Sequence, residues 1–180
     1  MAVSKRRIPG ERLPPLQFNS IQGESVAMPG AELVHLQFRR FAGCPVCNLH
    51  LQTFARAQQR LQESGVLTVA FFHSTVEQMR PYQGQLPFPC VADAERRWYG
   101  FFGVERSLFA VAHPRVIAAA LKGLIAAPSN PFVGGAEQTG LPADFLVDRS
   151  NVIVAARYGA HANDQWCVDD VLALARAGQR

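Results

Sequence analysis

Apolar positions along the chain switch between two periods, and the switching lays out the elements. Two short stretches, Leu16–Phe18 and Glu24–Met28, flank a Gln22-Gly23 turn and predict a small hairpin. In Glu32–Arg40, Leu33, His35, Gln37 and Arg39 fall on one face of an extended segment, while Val34, Leu36, Phe38 and Arg40 fall on the other. Mostly apolar, this segment predicts a buried central strand. The period then changes: His50, Phe54, Ala57 and Leu61 recur at helical spacing, with Gly65 placed to stop the helix. Val66–His73 is a second strand, Thr75–Tyr82 a short polar helix, Phe88–Ala92 a short strand, and Asp93–Phe102 a helix closed by Gly103. A further stripe, Ile117, Leu121, Leu124 and Ile125, follows Pro114 and suits either the core or a dimer surface. Ser129–Gly140 reads as a loop. Phe145–Val147 and Val152–Arg157 form a closing hairpin about Asp148–Asn151, and Val168–Ala177 is a last helix with Asp169 and Asp170 in its first turn.

Strands alternating with helices predict an α/β layer fold, and the closing hairpin makes the central sheet mixed rather than wholly parallel. The expected organisation is a basic N-terminal arm, residues 1–8, followed by a single domain over 9–180. That domain carries an N-terminal hairpin and a helical insertion at about 105–139, before the last hairpin. Length and composition agree with one globular unit: 180 residues, 48% hydrophobic and 18% charged, which excludes a disordered chain. The net charge of +4 gathers partly on Lys5, Arg6, Arg7 and Arg12, without the broad basic face that nucleic acid requires. The most apolar run, Val116–Ala127, is interrupted by Lys122 and Gly123 and is too short to span a bilayer. No signal-peptide pattern follows the basic start, so the chain reads as cytoplasmic, with no membrane and no nucleic-acid partner. Four cysteines are too few for a secreted disulfide scaffold, and in a reducing compartment a close pair reads as catalytic or metal-binding.

That close pair is Cys44-Pro45-Val46-Cys47, where a buried strand hands over to a helix. With Pro45 as the first helical residue, Cys44 is the N-cap and Cys47 the third helical residue. A cap sulfur can accept backbone N–H groups that the first turn leaves unpaired, and the positive end of the helix favours thiolate over thiol. Arg39 and Arg40 lie close by, and no carboxylate stands between Glu32 and Glu63 to oppose them. Residues three apart on a helix are ~5–6 Å apart, within reach of a disulfide. The pair therefore suits a two-electron thiol–disulfide couple that needs neither metal nor organic cofactor. Two other readings stay open. A zinc site would need a second close pair, whereas Cys90 and Cys167 stand apart; two inert buried thiols would do no chemistry.

The run LQFRRFAGCPVCNLHL resembles the strand–loop–helix of the thioredoxin superfamily, and the wider frame is similar to the peroxiredoxin-like AhpC/TSA proteins. The stretches that carry this are Pro9–Pro15 with its hairpin, Leu86–Asp93 with the helix to Val104, Gly140–Asp148, and the last helix. The resemblance implies a thioredoxin-like fold and a thiol-dependent oxidoreductase reducing peroxides or disulfides, cycling through a Cys44–Cys47 bond. A thioredoxin- or glutaredoxin-type donor would reopen that bond, and a homodimer is compatible with it. It also implies a cis-proline opposite the dithiol, the position of Pro142. The sequence departs from typical members, which carry a Pro seven residues and a Thr or Ser three residues before the peroxidatic cysteine. Arg40 and Cys44 stand there when Cys47 is aligned, Gln37 and Phe41 when Cys44 is. The capping argument makes Cys44 the more exposed, better-stabilised attacking thiolate with Cys47 resolving it; the family register reverses the roles. Arg39 or Arg40 would favour the thiolate, one facing the site and the other solvated. A redox-responsive binding or sensor module without turnover is the alternative.

Other residues read as structural. Cys90 suits a buried strand, Cys167 with His161 and Asp164 a solvated loop and cap, His35 and His50 apolar faces, and Trp98 and Trp166 packing. Gly134-Gly135 lacks the ending of a phosphate loop.

Overall fold

The computed structural model describes residues 5–30, 32–104, 114–130 and 140–178. Strands β1 (Leu16–Asn19) and β2 (Ser25–Met28) form the antiparallel hairpin read from the sequence. Next come β3 (Leu33–Phe38), α1 (Pro45–Arg56), α2 (Gln58–Glu63), β4 (Val66–Phe72), α3 (Val76–Gln83), β5 (Cys90–Ala92) and α4 (Arg97–Phe102). The chain closes with α5 (Pro114–Ala126), β6 (Ala143–Val147), β7 (Ile153–Tyr158) and α6 (Val168–Gly178). The central sheet has the order β5-β4-β3-β6-β7, with β3 parallel to β4 and antiparallel to β6. It is the mixed sheet expected, flanked by helices, and β3 is its fully buried middle strand.

The two faces of β3 go where its alternation sends them. Val34, Leu36 and Phe38 meet the hairpin and α4, where Phe38 stacks on Phe71 at 4.7 Å and takes the edges of Tyr99 and Phe145. Burying each such side chain stabilises the fold by about 1.5–3 kcal/mol. The opposite face meets α1 and α6 through Leu33, beside Leu146 of the neighbouring β6, but there His35 and Gln37 are buried as well.

Several predicted boundaries move for local reasons. The long helix after the dithiol breaks at Ala57 into α1 and α2. Helix α4 starts at Arg97 rather than Asp93, because the Asp93 carboxylate accepts from the backbone N–H groups of Arg97, Trp98 and Tyr99. Gly103 closes it with φ +68°. Arg6 and Arg7, in the basic arm, lie over the rings of Tyr158 and Phe101. The stripe on α5 faces out: Ile117, Leu121, Leu124 and Ile125 are exposed, while Val116 and Gly123 turn inward. Positions 105–113 of the expected insertion and 131–139 of its loop, including Gly134-Gly135, lie outside the described residues. Among the described residues no helix is long and apolar enough to cross a membrane.

Candidate active site

Strand β3 releases the chain at Phe38, and the next residues fold back so that the Cys44 N–H reaches the Phe41 carbonyl at 3.1 Å. Cys44 then caps α1 with extended backbone, φ −60° and ψ 113°, and Pro45 takes the first helical position, where a missing N–H costs nothing. The Cys44 sulfur accepts the Cys47 backbone N–H at 3.3 Å. This is the cap geometry expected from the spacing.

The Arg40 guanidinium donates to the Cys44 sulfur at 3.7 Å. Burial pushes the Cys44 thiol up, but the Cys47 thiol, the Arg40 charge and the Cys47 N–H outweigh it and bring its pKa from 9.0 to about 7. Cys47 moves the other way: burial and the neighbouring Cys44 hold it well above the ordinary range. One sulfur is thus poised as thiolate beside one held as thiol. The expectation that Cys44 is the more exposed is corrected, since the two residues are 0% and 1% exposed. The turn before α1 is itself packed under residues 114–130, which places both sulfurs inside.

Arg39 is not solvated; it is wholly buried. Its guanidinium donates to Asp144 Oδ1 at 2.7 Å and to Gln37 Oε1 at 2.6 Å, and lies 3.3 Å from His50 Nε2. His35 Nε2 stands 3.0 Å from the same Asp144 oxygen. Burial works against the Asp144 carboxylate, yet the Arg39 charge and the His35 hydrogen bond hold it well below the usual range. Burial keeps His35 and His50 neutral, lowering both below the ordinary 6.5. A carboxylate more than a hundred residues away therefore neutralises the arginine that local sequence leaves unopposed. Arg40 is the one that reaches the dithiol.

Pro142 opens β6, and its carbonyl accepts the Gly159 N–H at 2.9 Å. Its peptide bond is trans; among the described residues the cis bond is Met28–Pro29. The strand ladder starts normally from a trans proline, so the ordinary preference of an X–Pro bond prevails. Cys90 is buried on β5, its pKa pushed up to about 12 by burial. Cys167 is exposed, with its N–H on Asp170, while Asp164 is taken up by Arg157 and the Ala160 N–H. No three metal-ligating side chains gather among the described residues.

Two residues that sequence reasoning passed over brace the turn that carries Cys44. Asn48 and Gln83 are buried, and the Gln83 amide donates to Asn48 Oδ1 at 2.8 Å and to the Ala42 carbonyl at 2.9 Å. Neither carries a local signal, since 35 residues separate them.

No curated protein matches the chain in sequence. Solved structures match its fold. Peroxidoxin BcpB from Mycobacterium tuberculosis superposes with a TM-score of 0.67 at 15% identity, covering 94% of this chain and 97% of that one. The reduced 2-Cys peroxiredoxin of Plasmodium vivax gives 0.69 at 13% identity, covering 96% and 82%. The thiol peroxidase of Chromobacterium violaceum gives 0.62 at 14% identity, covering 99% and 91%. The AhpC/TSA family matches residues 7–156, most of the chain. With the fold and that match in agreement, the chain belongs to the AhpC/TSA family and is a thiol-dependent, peroxide-reducing enzyme.

Proposed function

We propose that peroxide reduction runs through a Cys44–Cys47 dithiol cycle. The Cys44 thiolate attacks a peroxide oxygen, the O–O bond breaks, and Cys44 becomes a sulfenic acid while the departing oxygen leaves as water or alcohol after taking a proton. Arg40 favours the thiolate and the negative charge that develops on the leaving oxygen. The Cys47 sulfur then displaces the sulfenic hydroxyl, water leaves, and a Cys44–Cys47 disulfide remains. An external dithiol of thioredoxin or glutaredoxin type gives up two electrons and two protons to reopen it.

The observation that carries this reading is the capped Cys44 sulfur, which accepts the Cys47 N–H at 3.3 Å and the Arg40 guanidinium at 3.7 Å, an arrangement that lowers the Cys44 thiol while Cys47 is held high. The same arrangement supports Cys44 rather than Cys47 as the attacking sulfur. Pro142 serves to open β6. The exposed α5 stripe is the surface on which a second copy would pair, and sedimentation at rising concentration tests that dimer.

The cycle is tested by steady-state consumption of hydrogen and organic peroxides with a thioredoxin system. Turnover should vanish in Cys44→Ser. Peptide mapping after one equivalent of peroxide should show a Cys44–Cys47 bond; a bond from Cys47 to Cys90 or Cys167 overturns the scheme. Oxidation that stops after one equivalent despite active reductant would instead favour a sensor without turnover.

A further inference from the structure

The dithiol turn is held shut by a small set of contacts that the reaction scheme does not use. Asn48, one residue past Cys47, is 4% exposed, and its amide nitrogen donates to the Ala42 carbonyl at 3.0 Å and to the Pro128 carbonyl at 2.8 Å. Its oxygen is occupied by Gln83. Two residues on, the Asn130 N–H donates to the Gly43 carbonyl at 2.9 Å. Residues 128–130 are thereby pinned to both sides of the Cys44 turn. Behind them α5 approaches α1 so closely that a Cβ on Gly123 would lie 2.2 Å from the Pro45 carbonyl oxygen. Val116 of α5 packs in the same buried cluster as Cys44 and Cys47. A disulfide one helical turn long needs little backbone movement to form, but a protein dithiol must bring its own sulfur to Cys44, in line with the bond it breaks. With both sulfurs at or below 1% exposure that approach is blocked.

We propose that Asn48 is a positioning residue whose carboxamide ties the Cys44 turn to residues 128–130, so that release of this tie, with α5 lifting from Pro45, governs which reagents reach the dithiol. Small reagents enter through slight opening, and a protein reductant only when the 114–130 segment lifts. The inference rests on reading Cys44 and Cys47 as the working dithiol. Its test measures access rather than turnover, so the two can fail separately.

The experiment labels reduced full-length protein, in a Cys167→Ser background, with N-ethylmaleimide and with a polyethylene-glycol maleimide, and follows the Cys44 peptide by mass. In the parent the large reagent should lag far behind the small one. Asn48→Ala should raise the large-to-small rate ratio about tenfold, the order expected for loss of one or two buried hydrogen bonds. Asn48→Asp, which keeps the acceptor for Gln83 and loses the donor to Pro128, should shift the ratio the same way. Gly123→Ala should do so from the other contact. A merely structural role would lower stability with the ratio unchanged, and that result overturns the proposal. Should the variants fail to fold, hydrogen exchange of the parent decides: 114–130 should open more readily than β3 and β4. Equal protection, meaning the segment opens only with global unfolding, overturns it.

Discussion

Replacing Arg40 should move the titration of Cys44 in a way that no general loss of structure can imitate. The net lowering of the Cys44 pKa, from 9.0 to about 7, corresponds to roughly 3 kcal/mol in favour of the thiolate. That net value already includes burial acting against it. The favourable side is shared between the Arg40 guanidinium, 3.7 Å away, and the Cys47 N–H and thiol. A full charge at ~4 Å is worth up to about 4 kcal/mol at a surface-like dielectric, so Arg40 supplies a large share. Arg40→Met keeps most of the volume and removes the charge, and should raise the pKa by about one unit or more. At neutral pH the thiolate fraction would then fall from about a half to about a tenth. A more basic thiolate is also about threefold more nucleophilic per unit, so the pH-limiting rate should rise while the rate near neutrality falls about twofold. The two profiles must cross. Thiolate absorbance near 240 nm and iodoacetamide alkylation of the Cys44 peptide, both in Cys167→Ser, measure this, with Arg40→Lys expected to stay near the parent. An unshifted midpoint, or a uniform loss at every pH, refutes the electrostatic account.

Asp144→Leu should strand the buried Arg39 charge and cost about 3–5 kcal/mol in urea unfolding, and adding Arg39→Met should recover part of that loss; a single-variant cost under about 1 kcal/mol contradicts the pairing. His35 and His50 titrate below 6.5 in the fold, so as pH falls past that value the unfolded chain takes up protons that the folded one refuses. Stability should therefore drop between about pH 7.5 and 5.5, read as a falling urea midpoint, and a flat midpoint shows that the histidines are not held neutral. Cys47→Ser should stall after one equivalent of peroxide with Cys44 as a sulfenic acid, trapped by dimedone and read by mass. Trapping at Cys47 in Cys44→Ser instead would reverse the roles.

What the sequence determined by itself was everything with a local cause. The alternation in Glu32–Arg40 fixed the central strand and the faces of Val34, Leu36 and Phe38, because side-chain direction in a strand depends only on position parity. Pro45 after Cys44 fixed the cap and the register of Cys47, because helix starts are governed by a few adjacent residues. Gly103 marked the end of α4 for the same kind of reason, a positive φ that glycine tolerates. The tertiary structure decided what depends on residues distant in the chain. Arg39 and Arg40 are neighbours with equal local credentials, and only the fold turns one toward Asp144 and the other toward Cys44. The trans bond at Pro142, the outward stripe of α5 and the joining of Asn48 to Gln83 and Pro128 likewise had no local signature. Burial itself is such a property: a cap sulfur looks accessible in sequence, and whether solvent reaches it is set by whichever segment packs over the cap. Here that segment arrives some seventy residues later, with Gly123 small enough to let it close on Pro45.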